Sequence, residues 1–199
     1  MTATISAPSA PISAGKLAPV LDLRSSDGNL VHLSSVWEGA QNGAVVVFLR
    51  HFGCIFCRQH LVQLRDAYAE FGKRGVAVVA IGVGSVQDAS ELKAWLKLPF
   101  PLLADPEQTG YRAYGLGRGS VTQLANPKVF AAGFKAMREG NKQVKATGDP
   151  KQLPGTFVVD QYGMVRHAHP ATHAGDLASV PSLLAAIDAY AKDCHDVCR

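Results

Sequence analysis

Two valine-rich runs, "GAVVVFLRH" (43 to 51) and "GVAVVAIGVG" (75 to 84), constrain this chain more than any other feature. Each is continuously apolar, opens on glycine and is about as long as a strand. A strand without polar alternation has to be covered on both faces. Between the runs Cys57, Leu61, Leu64, Tyr68 and Phe71 recur at helical spacing, and Gly72 and Gly75 end the pattern. Strand, helix, strand predicts parallel strands joined by a right-handed crossover, and hence an α/β layered sheet.

The flanking segments fit the same plan. "VLDLRSSDGNLVHL" (20 to 33) reads as two short strands around Asp27-Gly28. "SVQDASELKAWLKL" (85 to 98) predicts a helix capped by Ser85 and stopped before Pro99. "FPLLADPEQTGYRAYGL" (100 to 116) predicts a short strand, a turn and a short helix. "TFVVDQYGMVRHAHP" (156 to 170) predicts a hairpin about Gln161, Tyr162 and Gly163. A closing helix follows over 179 to 199, with Leu183, Leu184, Ile187 and Tyr190 on its apolar face.

A length of 199 residues fits one domain, and a hydrophobic fraction of 47% supplies a core that needs no disulfide staples. Residues 1 to 16, rich in Ala, Ser and Pro, are expected to form a flexible arm, disordered or loosely docked. Residues 17 to 199 form the domain, with an insertion around 115 to 152 and a cysteine-containing tail. "GLGRGS" in that insertion follows no buried strand, so it is read as a connection rather than a phosphate loop. The net charge of +4 comes from scattered Lys and Arg, which leaves no nucleic-acid footprint. No apolar run reaches membrane-spanning length, and the N-terminus lacks the basic start and apolar stretch of a secretory signal. A cytoplasmic location without a membrane partner is the default expectation.

The four cysteines fall into two close pairs, Cys54 with Cys57 and Cys194 with Cys198. In a cytosolic chain such pairs indicate redox or metal chemistry rather than structural bridges. Cys54 stands where a buried strand gives way to a helix. The free N–H groups and the dipole at a helix N-terminus favour a thiolate there. Cys57, one turn behind, is placed to attack a mixed disulfide formed on Cys54. Arg50, His51 and Arg58 are sources of positive charge nearby. A second element is "QLPGTFVVD" (152 to 160), where Pro154 precedes a strand, a hairpin and the last helix. A thioredoxin fold carries a cis-proline at that place, facing the C-x-x-C turn, with the preceding backbone (here Leu153) free to pair with a substrate chain.

The segments "VVVFLRHFGCIFCRQHLVQL", "GVAVVAIGVGS", "FPLLADPEQTGYRAYGL", "LPGTFVVDQYGMV" and "GDLASVPSLLAAI" resemble the AhpC/TSA-type, peroxiredoxin-like branch of the thioredoxin superfamily, over roughly residues 17 to 190. The resemblance implies a thioredoxin-like fold, a central mixed sheet flanked by helices. It implies a thiol oxidoreductase acting on a peroxide or a disulfide. Cys54 would be the attacking thiol and Cys57 the resolving thiol, with Pro154 opposite them, and no cofactor would be required. It further implies reduction by a redox partner protein or a small thiol, and a homodimer. The family surrounds its peroxidatic cysteine with Pro-x-x-x-Thr-x-x-Cys. The stretch "FLRHFGC" before and including Cys54 holds no proline and no hydroxyl, and Val47 stands where that proline would be. Some relatives instead reduce a lipid endoperoxide through a C-x-x-C pair.

The tail "DCHDVC" leaves three readings open. It is a second dithiol that relays electrons, an inert chain end, or half of a site in which Cys54, Cys57, Cys194 and Cys198 bind zinc or a [2Fe–2S] cluster. The last reading would make the protein an electron carrier. His195 lies inside the tail pair. His167 and His169 share one face of a strand near His173, and these three are read as surface histidines first.

Overall fold

The computed structural model describes residues 10–119 and 148–197, with side chains as far as residue 191. The strands are β1 (Asp22–Ser25), β2 (Leu30–His32), β3 (Ala44–Phe48), β4 (Ala77–Gly82), β5 (Leu102–Ala104), β6 (Gly155–Val159) and β7 (Val165–Pro170). The helices are α1 (Ser34–Glu38), α2 (Ile55–Asp66), α3 (Tyr68–Lys73), α4 (Val86–Leu96), α5 (Thr109–Ala113) and α6 (Val180–Val197). The strands form one mixed sheet in the order β2-β1-β5-β4-β3-β6-β7. The two valine runs are its centre: β3 and β4 pair in parallel with Val46 beside Val79, and β5 continues the parallel set. β6 runs antiparallel to β3, and β1 antiparallel to β5.

Continuous apolarity in the central strands has its expected cause, since every residue of β3 is buried. Val45, Val47, Val78 and Val158 face Leu61 of α2, Leu92 of α4, and Leu183 and Ile187 of α6. Val46, Phe48, Ile81 and Phe157 face the other way, onto Trp37 of α1 and onto Tyr111 and Tyr114. Each such side chain contributes about 1.5–3 kcal/mol when fully buried. Ser85 caps α4 through a capping box. Its hydroxyl accepts the Asp88 N–H at 3.1 Å, and the Asp88 carboxylate accepts the Ser85 N–H at 2.9 Å. At the β6–β7 turn one Asp160 oxygen accepts the N–H groups of Tyr162 and Met164, and Gly163 takes φ +82°, which a glycine adopts without strain.

Three features add to the sequence reading. The helical run from residue 57 to 71 is divided at Ala67, where the Glu70 N–H reaches back to the Ala67 carbonyl at 2.9 Å in a tighter, three-residue turn. Residues 12 to 18 are docked, with the Ile12, Gly15 and Ala18 N–H groups bonded to the carbonyls of Tyr114, Val165 and Gly163. The 115–152 insertion is described at its two ends, and these pair with each other. The Gly119 N–H donates to the Lys151 carbonyl at 2.7 Å, and the Leu153 N–H to the Gly117 carbonyl at 3.1 Å. Among the described residues no helix is long and apolar enough to cross a membrane.

Candidate active site at the strand-to-helix turn

β3 ends at Phe48, and α2 begins at Ile55 with Cys54 as its N-cap residue in extended conformation. The turn between them is held from both sides. The Cys54 N–H donates to the His51 carbonyl at 3.1 Å, and the Arg58 N–H to the Cys54 carbonyl at 3.0 Å. Arg58 also donates from Nε to the Phe52 carbonyl at 2.9 Å, and its guanidinium carbon lies 5.1 Å from the ring centre of Trp95. The Phe52 ring packs over the end of β4. A Cβ built on Gly82 would stand 2.2 Å from it, so glycine is what lets the turn sit so low on the sheet.

Beneath the turn, the Tyr111 hydroxyl donates to the Leu49 carbonyl and approaches the Ile81 carbonyl at 3.2 Å, tying the ends of β3 and β4 together. Tyr111 is placed there by α5, whose first N–H groups are held by Asp105. The carboxylate accepts from Thr109 at 2.9 Å and from Gly110 at 2.8 Å. The segment "LADPEQTGYRAYGL" thus builds the floor of the site.

Cys54 and Cys57 are both free thiols, 4% and 1% exposed. Arg50 touches both. Its backbone N–H donates to Cys57 Sγ at 3.3 Å, and its Nη1 lies 3.7 Å from Cys54 Sγ. The same guanidinium donates from Nε to the Gln152 carbonyl at 3.2 Å and from Nη2 to the Pro150 carbonyl. Three of its hydrogen-bonding nitrogens are therefore committed, which fixes its direction.

This arrangement separates the two thiols chemically. The Cys57 thiol donates to Cys54, and with the Arg50 charge this outweighs burial and lowers the Cys54 pKa from 9.0 to about 6. Burial, and then the charge on Cys54, push Cys57 well above its ordinary value. At neutral pH the pair is a thiolate at Cys54 and a thiol at Cys57, which is what a nucleophile and a resolving partner require. His51, three residues before Cys54, is 6% exposed, and its Nδ1 has no hydrogen-bond partner among the described residues. Burial, then the charges of Arg50 and Arg58, lower its pKa to about 4, so the ring is neutral at pH 7.

Pro154 precedes β6, whose first residue Gly155 pairs with Phe48 at the end of β3. The expected cis bond is absent: no cis peptide occurs among the described residues. Nor is Leu153 open to a substrate chain. Its N–H is taken by Gly117, and its carbonyl accepts from Gln152 Nε2 at 3.0 Å. The insertion stems occupy the edge where a bound peptide would pair. Gln152, unremarked in the sequence, anchors this arrangement with a buried amide that also donates to the Gly117 carbonyl at 3.1 Å.

Cys194 lies on α6, but its side chain and all of Cys198 fall outside the described residues, and so does the four-cysteine site. Among the described residues no three His, Cys, Asp or Glu side chains are grouped to hold a metal ion. His169 instead pairs with Asp176 at 2.9 Å, and His173 accepts the Gly175 N–H at 3.2 Å.

Comparison with known proteins identifies the family and the fold. The AhpC/TSA family pattern matches residues 14–168. Human peroxiredoxin-like 2C is 31% identical over 199 residues, covering 92% of this chain and 85% of that protein. The thioredoxin-like protein AAED1, chloroplastic, of Arabidopsis thaliana is 35% identical over 124 residues, which cover 62% of this chain and 48% of the relative's length. In fold, the chain resembles the crystal structure of peroxidoxin BcpB from Mycobacterium tuberculosis, with a TM-score of 0.67 at 19% identity, over 89% of this chain and 97% of that one. Family match and fold agree, and the chain belongs to the AhpC/TSA family.

Proposed function

We propose that the chain is a thiol peroxidase that reduces a hydroperoxide at Cys54 and resolves within the same C-x-x-C pair. The observation that carries this reading is the position of Cys54 Sγ, at the N-cap of α2 and 3.7 Å from the Arg50 guanidinium. The thiolate attacks the terminal oxygen of the hydroperoxide. An S–O bond forms, the O–O bond breaks, and the alkoxide leaves and takes a proton from water. Cys57 then attacks the Cys54 sulfenic acid. The S–S bond forms, the S–O bond breaks, and the Cys57 proton departs with the hydroxide as water. An external thiol, small or protein-borne, reduces the disulfide and closes the cycle. The peroxiredoxin names of its relatives support a peroxide as oxidant.

The test is to mix reduced protein with hydrogen peroxide and follow the loss of free thiols by rapid quench and mass spectrometry. The expected product is an intrachain Cys54–Cys57 disulfide, formed far faster than free cysteine oxidises. A thiol pair that reacts with peroxide at the rate of free cysteine would remove the peroxidase reading.

A further inference from the structure

The family's hydroxyl three residues before the nucleophile is replaced here by His51. A histidine in a surface turn would face water, but this one is buried. Its Nδ1 has no hydrogen-bond partner among the described residues. Buried polar atoms are almost always paired, and an orphan at a reactive centre marks a partner position to be filled. The backbone that carries the ring is held on both sides. Its backbone carbonyl is bound by the Cys54 N–H, and Phe52 next to it is pinned by Arg58 and packed over Gly82.

We infer that Nδ1 of His51 is the hydrogen-bond acceptor that orients the oxidant on Cys54, in place of the missing hydroxyl. This assignment rests on the hydroperoxide reading of Cys54. His51 accepts the terminal O–H of the hydroperoxide and so presents that oxygen to the sulfur. The Arg50 guanidinium, already directed at Cys54 Sγ, stands beside the charge that develops on the leaving oxygen. No proton need move onto the ring. The terminal oxygen keeps its hydrogen as it becomes the sulfenic acid, and the leaving alkoxide is protonated from water as before. The low basicity of the buried ring fits this role, because a protonated His51 could not accept at Nδ1.

Two rates on each variant of the full chain test the assignment: oxidation of Cys54 by hydrogen peroxide, and alkylation by iodoacetamide. Alkylation reports the thiolate without needing the oxidant to be oriented. His51→Leu is expected to slow peroxide on the order of 100-fold while leaving alkylation near the wild-type rate. His51→Asn places an amide oxygen at the same distance from the backbone as Nδ1 and should recover most of the loss. His51→Gln reaches further, to the position of Nε2, and should recover less. Asn and Gln keep the test decisive if the Leu variant does not fold, since a Gln variant that outpaces the Asn variant overturns the role of Nδ1. A Leu variant with the wild-type peroxide rate, or with both rates lowered in parallel, overturns the proposal while the peroxidase reading stands. A wild-type protein no faster with peroxide than free cysteine overturns both.

Discussion

The Arg50 guanidinium lies 3.7 Å from the sulfur of Cys54, held there by two backbone carbonyls about a hundred residues further along the chain. A charge so confined acts on the thiolate without the entropy loss of a free surface side chain. Arg50→Gln removes the charge and keeps a hydrogen-bonding amide. The Cys54 pKa should rise from about 6 by roughly one unit or more. Thiolate absorbance titrated against pH measures it directly. Iodoacetamide alkylation should slow at neutral pH and match the wild type in alkaline solution, where both proteins are fully ionised.

The thiol of Cys57 is a stronger influence on Cys54 than Arg50 is. Cys57→Ser retains an O–H donor, whereas Cys57→Ala removes it. Both variants should accumulate a Cys54 sulfenic acid that dimedone traps, because neither can form the disulfide. The Cys54 pKa should be higher in the Ala variant than in the Ser variant. Equal values would show that the second thiol serves only in resolution.

Acid should weaken the fold through its buried histidines. His51 and His60 are both buried and neutral, each lowered from 6.5 to about 4, chiefly by burial. Between those two values the unfolded chain binds more protons than the folded one, so stability falls as pH falls through that window. Cys54, depressed from 9.0 to about 6, acts in the same direction at higher pH, stabilising the fold as it ionises. Urea midpoints should therefore drop between neutral pH and about pH 5, by an amount on the order of a few kcal/mol in stability. His60→Leu should narrow that drop. The variant also loses the ring's hydrogen bond to Gln63, so the change in slope with pH, not the stability at neutral pH, is the readout.

Gly82→Ala tests the seat of the turn. The added methyl would meet Phe52 at 2.2 Å. Overpacking of this kind destabilises by about 1–3 kcal/mol. A thermal melt should show that loss. Cys54 alkylation should change as well, because Phe52 can yield only by moving the segment that carries His51 and Cys54.

Much of the scaffold was legible in the residues. The unbroken apolarity of residues 44 to 48 and 77 to 82 announced the buried parallel pair, and Ser85 with Asp88 announced the start of α4. The place of the C-x-x-C pair at a helix N-terminus was legible because it follows from local pattern alone. Arg50 could be noticed but not aimed, since its partners Pro150 and Gln152 are distant in sequence. The short α1 escaped the reading because five residues without a side-chain cap leave no periodic signal. At Pro154 the reading relied on what other proteins do at that place. It missed that the insertion stems already occupy both backbone groups of Leu153. His51 reads in the sequence as a source of charge; its burial keeps the ring neutral at pH 7.

The paired ends of the insertion have a bearing on how this chain can vary. Residues 117 to 119 and 151 to 153 zip together, and the two carbonyls that grip Arg50 belong to the returning stem and its approach. That grip limits variation: a change that parts residues 117 to 119 from 151 to 153 also frees Arg50 from the two carbonyls that aim it at Cys54. The domain is thus built like a clasp, in which a fastening far along the chain holds the charge beside the thiol.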